Sequence, residues 1–589
     1  MQDTKEDICL EELQMKKKIT PPSKWQFCAV IPFAVLYMLF IVLGDLEKAE
    51  QLGVLRNIVR ILLLFSACYI VLLLFCFLIS QRGALLSCLP ETLRPGKQQA
   101  RPGRWYIFIL FFLICFFCYL PYYLMYYPTW FNNDAVWQME QILGLVPRSN
   151  HHPYFHTMII QFFFEIGYRL SGNYTDAIGF YTFWQVVIMA LLYAFILHWL
   201  YKRGTRMFWL FIALLFYAAL PVNGMQALCM GKDAFFVAAL FFFTWTTVET
   251  ACHAELMTGR RRALRYLAWS AAGFLVCVLR SNGIFIFVGT IVILSVYDWQ
   301  KKRSGKKVPY GKKVSGKYGC AAAVLLCYLI YHGPVLAALH VEPPDTIESL
   351  TMPAQHLVCA YLKGGELTEE EIGMIDRVVP TEKVGEAYNP YLFDPVKALI
   401  REEGNQQAIE ENKWEYFKLW LRVGLRNPLQ YVVAEVRQTM GYWAYRVRDP
   451  LYLYGDYFMV DNSLGVETRR KLFSYDDSLA MGNYLQRFQE FYNRVWSLGL
   501  NTWLMFFALA FAVYEKRNVM PFVPYLILFL TLLLAAPVYN EFRYIYGLFI
   551  ALPVLFSYSF GQRESEALPP EGETSKSAAG GNTAGGEKA

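Results

Sequence analysis

Apolar runs of membrane-spanning length, separated by short basic loops, constrain this chain more than any other feature. A helix needs about 20 apolar residues to cross the hydrocarbon core of a bilayer. Such runs lie near 25–44, 56–79, 105–123, 177–200, 207–222, 233–252, 264–279, 283–299, 318–339, 498–514, 519–537 and 543–560. Composition agrees, with 56% hydrophobic and 17% charged residues, where soluble domains carry about 25% charged. Aromatic residues, which favour the membrane–water boundary, reach 17%. The formal net charge of +7 does not point to nucleic acid, because the basic residues sit in short clusters between the apolar runs.

Those clusters orient the chain. Loops rich in Lys and Arg stay in the cytoplasm. With Lys16, Lys17 and Lys18 inside, the further inside loops hold Arg94, Lys97, Arg101 and Arg104; Lys202, Arg203 and Arg206; Arg260, Arg261, Arg262 and Arg265; Lys301 to Lys317; and Lys516 and Arg517. The alternate loops, such as Asp45–Gly53 and Asn223–Gly231, hold few. The expectation is an all-α polytopic membrane protein of about 12 transmembrane helices, each near the spanning length, with a mainly helical outer-face domain between the ninth and tenth spans. Its parts are a cytoplasmic N-terminus (1–24), a transmembrane core (25–339) with a large first outer loop (121–176), an extracytoplasmic domain (340–497), C-terminal spans (498–560) and a disordered cytoplasmic tail (561–589). Within the outer domain, Thr368–Glu371 reads as a capping box, and two helices are broken at Asn427-Pro428. The aromatic-rich stretch Trp414–Tyr454 could stack on sugar rings or pack against membrane and core. Most of the 13 cysteines lie in apolar runs as small fillers, while Cys229 and Cys359 fall in outer segments where a pairing is open.

Polar residues at membrane depth or at helix ends are costly and invite a functional reading. The topology brings Asn132, Asn133, Asp134, His151, His152, Lys232, Asp233, Arg280, Asn282, Asn540, Glu541 and Arg543 to one face, with no comparable set on the other. A loop carboxylate beside cations and lipid suits transfer of a group from a lipid phosphate carrier to a hydroxyl. The carboxylate would take the acceptor's proton, and the cations would hold the phosphate leaving group.

Asp134 followed by His151-His152-Pro153, Gly231-Lys232-Asp233, Arg280-Ser281-Asn282-Gly283, Met352-Pro353-Ala354-Gln355 and Arg543-Tyr544 resembles a bacterial branch of the GT-C superfamily of membrane glycosyltransferases. The likeness covers most of positions 105–560. It implies an inverting transfer of a sugar from a polyprenyl-phosphate-linked donor to an envelope glycan, lipid or protein acceptor, at the outer face of a bacterial cell membrane. Asp134 would be the base, and His151, His152, Lys232, Arg280, Asn282 and Arg543 would bind substrate. One departure is that Asn133 precedes a single Asp134, where many members carry paired acids.

Other readings of these residues stay open. Asp134 could cap the helix that follows it. His152 and His156 are spaced to share a helical face and so could hold a divalent metal, although no Glu of a metalloprotease motif accompanies them. Histidines hydrogen-bonding a substrate, or purely structural ones, fit equally well. Asp233 could cap a helix, Lys232 at a helix start could meet a phosphate, and Arg280 could anchor at the interface. A lipid-glycan transporter and a membrane-anchored assembly protein are the rival functions. A transporter, however, gathers polar groups at mid-membrane.

Overall fold

The computed structural model describes residues 20–82, 100–253, 259–303, 315–445, 462–469, 471–535 and 538–561. Lys16, Lys17, Lys18, Arg94, Lys97 and the tail beyond 561 lie outside them. Among the described residues the chain is helical, with isolated β-bridges and no strand. Nine helices among the described residues are long and apolar enough to cross a membrane. These include α1 (Lys24–Leu43), α2 (Val54–Ser80) and α3 (Trp105–Met125). Two further helices, α4 (Asn133–Ile142) and α5 (Tyr154–Ser171), form the segment before α6 (Tyr174–Lys202), which is again of spanning length.

The next apolar run departs from expectation. It begins as α7 (Met207–Leu214), passes through a π-helical turn at Leu215–Ala219, and resumes at a bend of 43° as α8 (Pro221–Leu228). The stretch from Asn223 was expected to be loop; instead all of α8 is buried. Pro221 explains the bend. It has no N–H to donate and it pushes Leu220 into extended backbone, yet it is a good first residue for a new helix. Asn223 is held inside by bonds from its Nδ2 to the carbonyl of Phe216 (2.7 Å) and from the Tyr546 hydroxyl to its Oδ1 (3.0 Å).

The remaining spanning helices are α9 (Lys232–His253), α10 (Gly259–Leu279), α11 (Gly283–Arg303), a helix beginning as α12 (Ser315–Ile330) and continuing to Ala338, and, at the C-terminus, a last helix to which Arg543 belongs. Between them, residues 347–423 build a second hydrophobic core, separate from that of the bundle. Its framework is α13 (Thr351–Leu362), α14 (Lys413–Arg426) and α15 (Pro428–Thr439), with shorter helices between. The Thr368–Glu371 capping box forms, and Glu371 also pairs with Arg426. Amphipathic α16 (Tyr475–Val495) then bends by 51° into α17 (Leu498–Tyr514), followed by α18 (Val523–Ala535) and α19 (Phe542–Phe560).

The turn from α10 to α11 is tight. A Cβ on Gly283 would fall 1.8 Å from the carbonyl oxygen of Val276, which is backbone and cannot yield. Gly283→Ala is therefore expected to destabilise the protein by more than about 3 kcal/mol. Thermal unfolding of the purified variant in lipid nanodiscs checks this, and a wild-type midpoint would contradict it.

The two ends of the bundle differ in chemistry. α19 has 19 residues, about 28 Å at 1.5 Å per residue. Its start carries Arg543, which bonds to Asp134. Beyond its end, the carbonyl of Gly561 accepts from Arg517, one of the expected cytoplasmic basic residues. Lys516 lies over the ring of Trp25, and Arg101 donates its backbone N–H to Lys202. Arg517 thus lies at the end of α19 opposite to Arg543 and Asp134.

Candidate active site

Two backbone hydrogen bonds, with side-chain bonds beside them, assemble the site. After α3, the Trp130 N–H donates to Leu228 and its carbonyl accepts from Met230 (3.1 Å), a parallel bridge that sets this loop against the end of α8. The Thr129 hydroxyl and the Gln185 amide also donate to carbonyls of that segment. Asn132 caps α4 through the N–H of Ala135 (2.9 Å), so Asp134 occupies the first turn, where the helix dipole favours a carboxylate. The same bridge delivers Lys232 at the start of α9 beside it.

Four expected residues meet there. Asp134 Oδ2 lies 2.8 Å from Arg543 and 3.6 Å from Lys232 Nζ, and its Oδ1 lies 3.8 Å from His152 Nε2. The Asp134 and Arg543 side chains stay 27% and 31% exposed, so a ligand can reach both. Burial works against the Asp134 charge, but Lys232, Arg543 and His152 outweigh it and hold the carboxyl well below the usual range. Burial, reinforced by Lys232, pushes His152 down to about 3, so at neutral pH it is an uncharged imidazole that can donate or accept a hydrogen bond. Glu541, before α19, lies 3.5 Å from Arg543 Nε, and burial raises its pKa.

A second pair lies behind the first. Arg280 reaches Asp233 at 3.1 Å, and both side chains are buried. The guanidinium packs over the rings of Tyr544 (4.7 Å) and Phe236 (5.3 Å) and contacts the Arg543 carbonyl at 3.5 Å. Asp233 is thus the counterion of Arg280. Asn282 is not part of the cluster, since its amide bonds the Thr531 hydroxyl on α18 (2.8 Å). His151 is turned toward Glu348 (3.8 Å) and packs against Trp137 at 5.0 Å with its ring tilted by 55°. Gln355 ties α13 to Gln438 on α15.

The proposed sharing of a helical face by His152 and His156 does not hold. α5 begins at Tyr154, which leaves His152 in the preceding loop. His156 is fully buried, with Nδ1 against Gln138 and Nε2 against Tyr181. Among the described residues no group of three His, Cys, Asp or Glu is placed to hold a metal ion. Cys229 and Cys359 are both free.

Sequence reasoning did not single out Trp137, whose ring meets His152 edge-on at 5.6 Å, or Glu348. The available signal for Trp137 was its place three residues after Asp134 on one helical face. No local signal marked Glu348, which arrives from far along the chain.

Acidification should weaken the fold here. His152 and His156 are held near 3 by burial, while an unfolded His titrates near 6.5. Between those values the unfolded chain binds more protons, so stability falls as pH falls, by up to about 1.4 kcal/mol per histidine per pH unit. Thermal midpoints in nanodiscs should drop from pH 7 to pH 5, and less so in His152→Gln.

Fold and site together define an all-α polytopic membrane protein with a charged, accessible cluster at one end of its bundle. The chain belongs to a family of unknown function, DUF6020, whose profile matches residues 146–570 and so includes His151, His152, Lys232, Arg280 and Arg543. Neither a curated protein nor a solved structure matches it.

Proposed function

We propose that this protein is a GT-C-type glycosyltransferase that moves a sugar, with inversion, from a polyprenyl-phosphate-linked donor to an acceptor hydroxyl. In this reading about 12 helices span a bacterial cell membrane, counted by spanning length, both termini are cytoplasmic and the cluster faces outward, roofed by residues 340–497. One observation carries the proposal: the accessible carboxylate of Asp134 is held among Arg543, Lys232 and a neutral His152, at the end of a membrane bundle.

The acceptor oxygen attacks the anomeric carbon, and the bond from that carbon to the phosphate oxygen breaks. The acceptor proton passes to Asp134, and the phosphate leaves with the electron pair onto Arg543 and Lys232. A carboxylate this strongly paired is a weak base. A donor phosphate that competes for Arg543 and Lys232 relieves that pairing and raises the basicity of Asp134, so donor binding itself arms the base. His152 stands ready to hydrogen-bond the acceptor or the phosphate. Arg280, paired with Asp233 and stacked on Tyr544, supports Arg543 from behind.

The test is mass analysis of lipid-linked sugars and surface glycans in a deletion strain. A missing sugar decoration, with the monomeric carrier-linked donor accumulating, is expected. Loss of translocation of an intact lipid-linked glycan, with no sugar missing from it, would overturn the transfer reading in favour of transport. The Glu541 pairing carries its own expectation. Glu541→Gln releases Arg543 from one partner and should lower the KM for the donor while kcat changes little; a kcat collapse would give Glu541 a different role.

A further inference from the structure

α14 has two apolar faces, and the described residues cover only one. Leu419 and Val423 are fully buried in the core of the 347–423 unit. On the other side Trp414, Phe417, Leu421 and Leu425 stand 66%, 47%, 45% and 75% exposed. At 3.6 residues per turn these four fall within an arc of about 80°. α15 continues the stripe with Leu429 and Val432, 69% and 47% exposed. One turn further, Val436 is buried and belongs to the same core as the membrane helices. α15 also packs on α18, whose Leu530 and Leu534 are 52% and 73% exposed on the surface of a bundle helix. The apolar stripe of the hairpin therefore runs at Val436 into the core of the membrane helices.

We propose that α14 and the first turns of α15 form a lipid-docking hairpin, lying in the bilayer interface on the side where the Asp134 cluster opens. The side follows from geometry. The Tyr442 hydroxyl just after α15 bonds the Val538 carbonyl (2.6 Å), and Tyr539 donates to Tyr391, a few residues before Arg543. Charge agrees as well. Lys413 and Lys418 border the stripe and Arg422 follows around the helix, where they can meet anionic headgroups, with Glu415 and Glu371 as acidic neighbours. Trp414 and Phe417, stacked at 5.2 Å, are the ring types that settle at headgroup depth. A polar sheath of water over six large apolar side chains would have no such logic.

The test places a nitroxide at Phe417, Leu421 or Leu425, and as a control at Glu415, in the full chain freed of accessible cysteines. Each is reconstituted at one chain per nanodisc of phosphatidylethanolamine and phosphatidylglycerol. Collision with oxygen should exceed collision with a water-soluble nickel chelate several-fold at the three apolar positions, with the reverse at Glu415. Free access of the nickel chelate to all four would overturn the proposal. So would protection that appears only with two chains per disc, together with dipolar broadening, since the occupant would then be a second copy. If a labelled variant fails to fold, hydroxyl-radical footprinting of the unmodified chain at Trp414 and Phe417 in the same nanodiscs decides it, protection supporting lipid cover and oxidation refuting it.

Discussion

Asp134→Asn is expected to reduce sugar transfer by about 10²–10⁴, the range that a positioned proton acceptor contributes, while the protein still inserts and folds. Asn keeps the size and the place in the first turn of α4 but cannot take a proton. It also leaves Arg543 and Lys232 without the carboxylate that lies 2.8 Å and 3.6 Å from them. Both cations then remain available to a phosphate, so donor affinity should hold or rise as turnover falls. Donor binding and turnover, measured separately on purified protein in nanodiscs, check both halves. Retained turnover would remove Asp134 from the chemistry. Intact folding with lost donor binding would instead make it an organiser of the cations. Asp134→Glu should recover part of the rate if the proton-accepting role is right, since it keeps the function and shifts only its position.

Arg280→Ala is the second large effect, and it is one of stability. Removing the guanidinium strands Asp233 as a buried, unpaired carboxylate, which costs about 3–5 kcal/mol, and also strips the cation from the faces of Tyr544 and Phe236. The pair cycle separates the causes. Asp233→Asn combined with Arg280→Met should recover much of the thermal midpoint lost by Arg280→Ala, because no buried charge is left alone. If Arg280 instead served only to bind a ligand, the single variant would unfold at the wild-type temperature and lose donor affinity alone. Arg280→Lys is not a mild control, since an ammonium cannot reproduce the planar contact with Tyr544.

Most of the architecture was legible in the sequence, because hydrophobic length and loop charge act locally and additively. The helix breaks followed too. Asn427-Pro428 separates α14 from α15, and Thr368 caps the helix beginning at Glu369, each for a reason contained in a few neighbouring residues. Local reasoning failed where the run 207–222 was expected to give way to loop at Asn223. Pro221 ends one helix but begins another, and what buries α8 is Tyr546 and the Phe216 carbonyl around Asn223. The histidines show the same limit. Spacing alone put His152 and His156 on one face, yet the helix starts at Tyr154 and parts them.

Read alone, the sequence showed a chain with repeated membrane-spanning runs and brought Asp134, His151, His152, Lys232, Arg280 and Arg543 to one end of the bundle. Apolar length and basic-loop parity are enough for that, since each span either crosses the bilayer or does not. Only the tertiary structure decided the partners within that end. Lys232 and Arg543 face Asp134, Arg280 is turned to Asp233, Asn282 to Thr531 and His151 to Glu348. Those choices depend on how α4, α9, α10, α18 and α19 rotate and tilt against one another. A rotation of one residue, about 100°, exchanges one partner for another while leaving every span and loop unchanged.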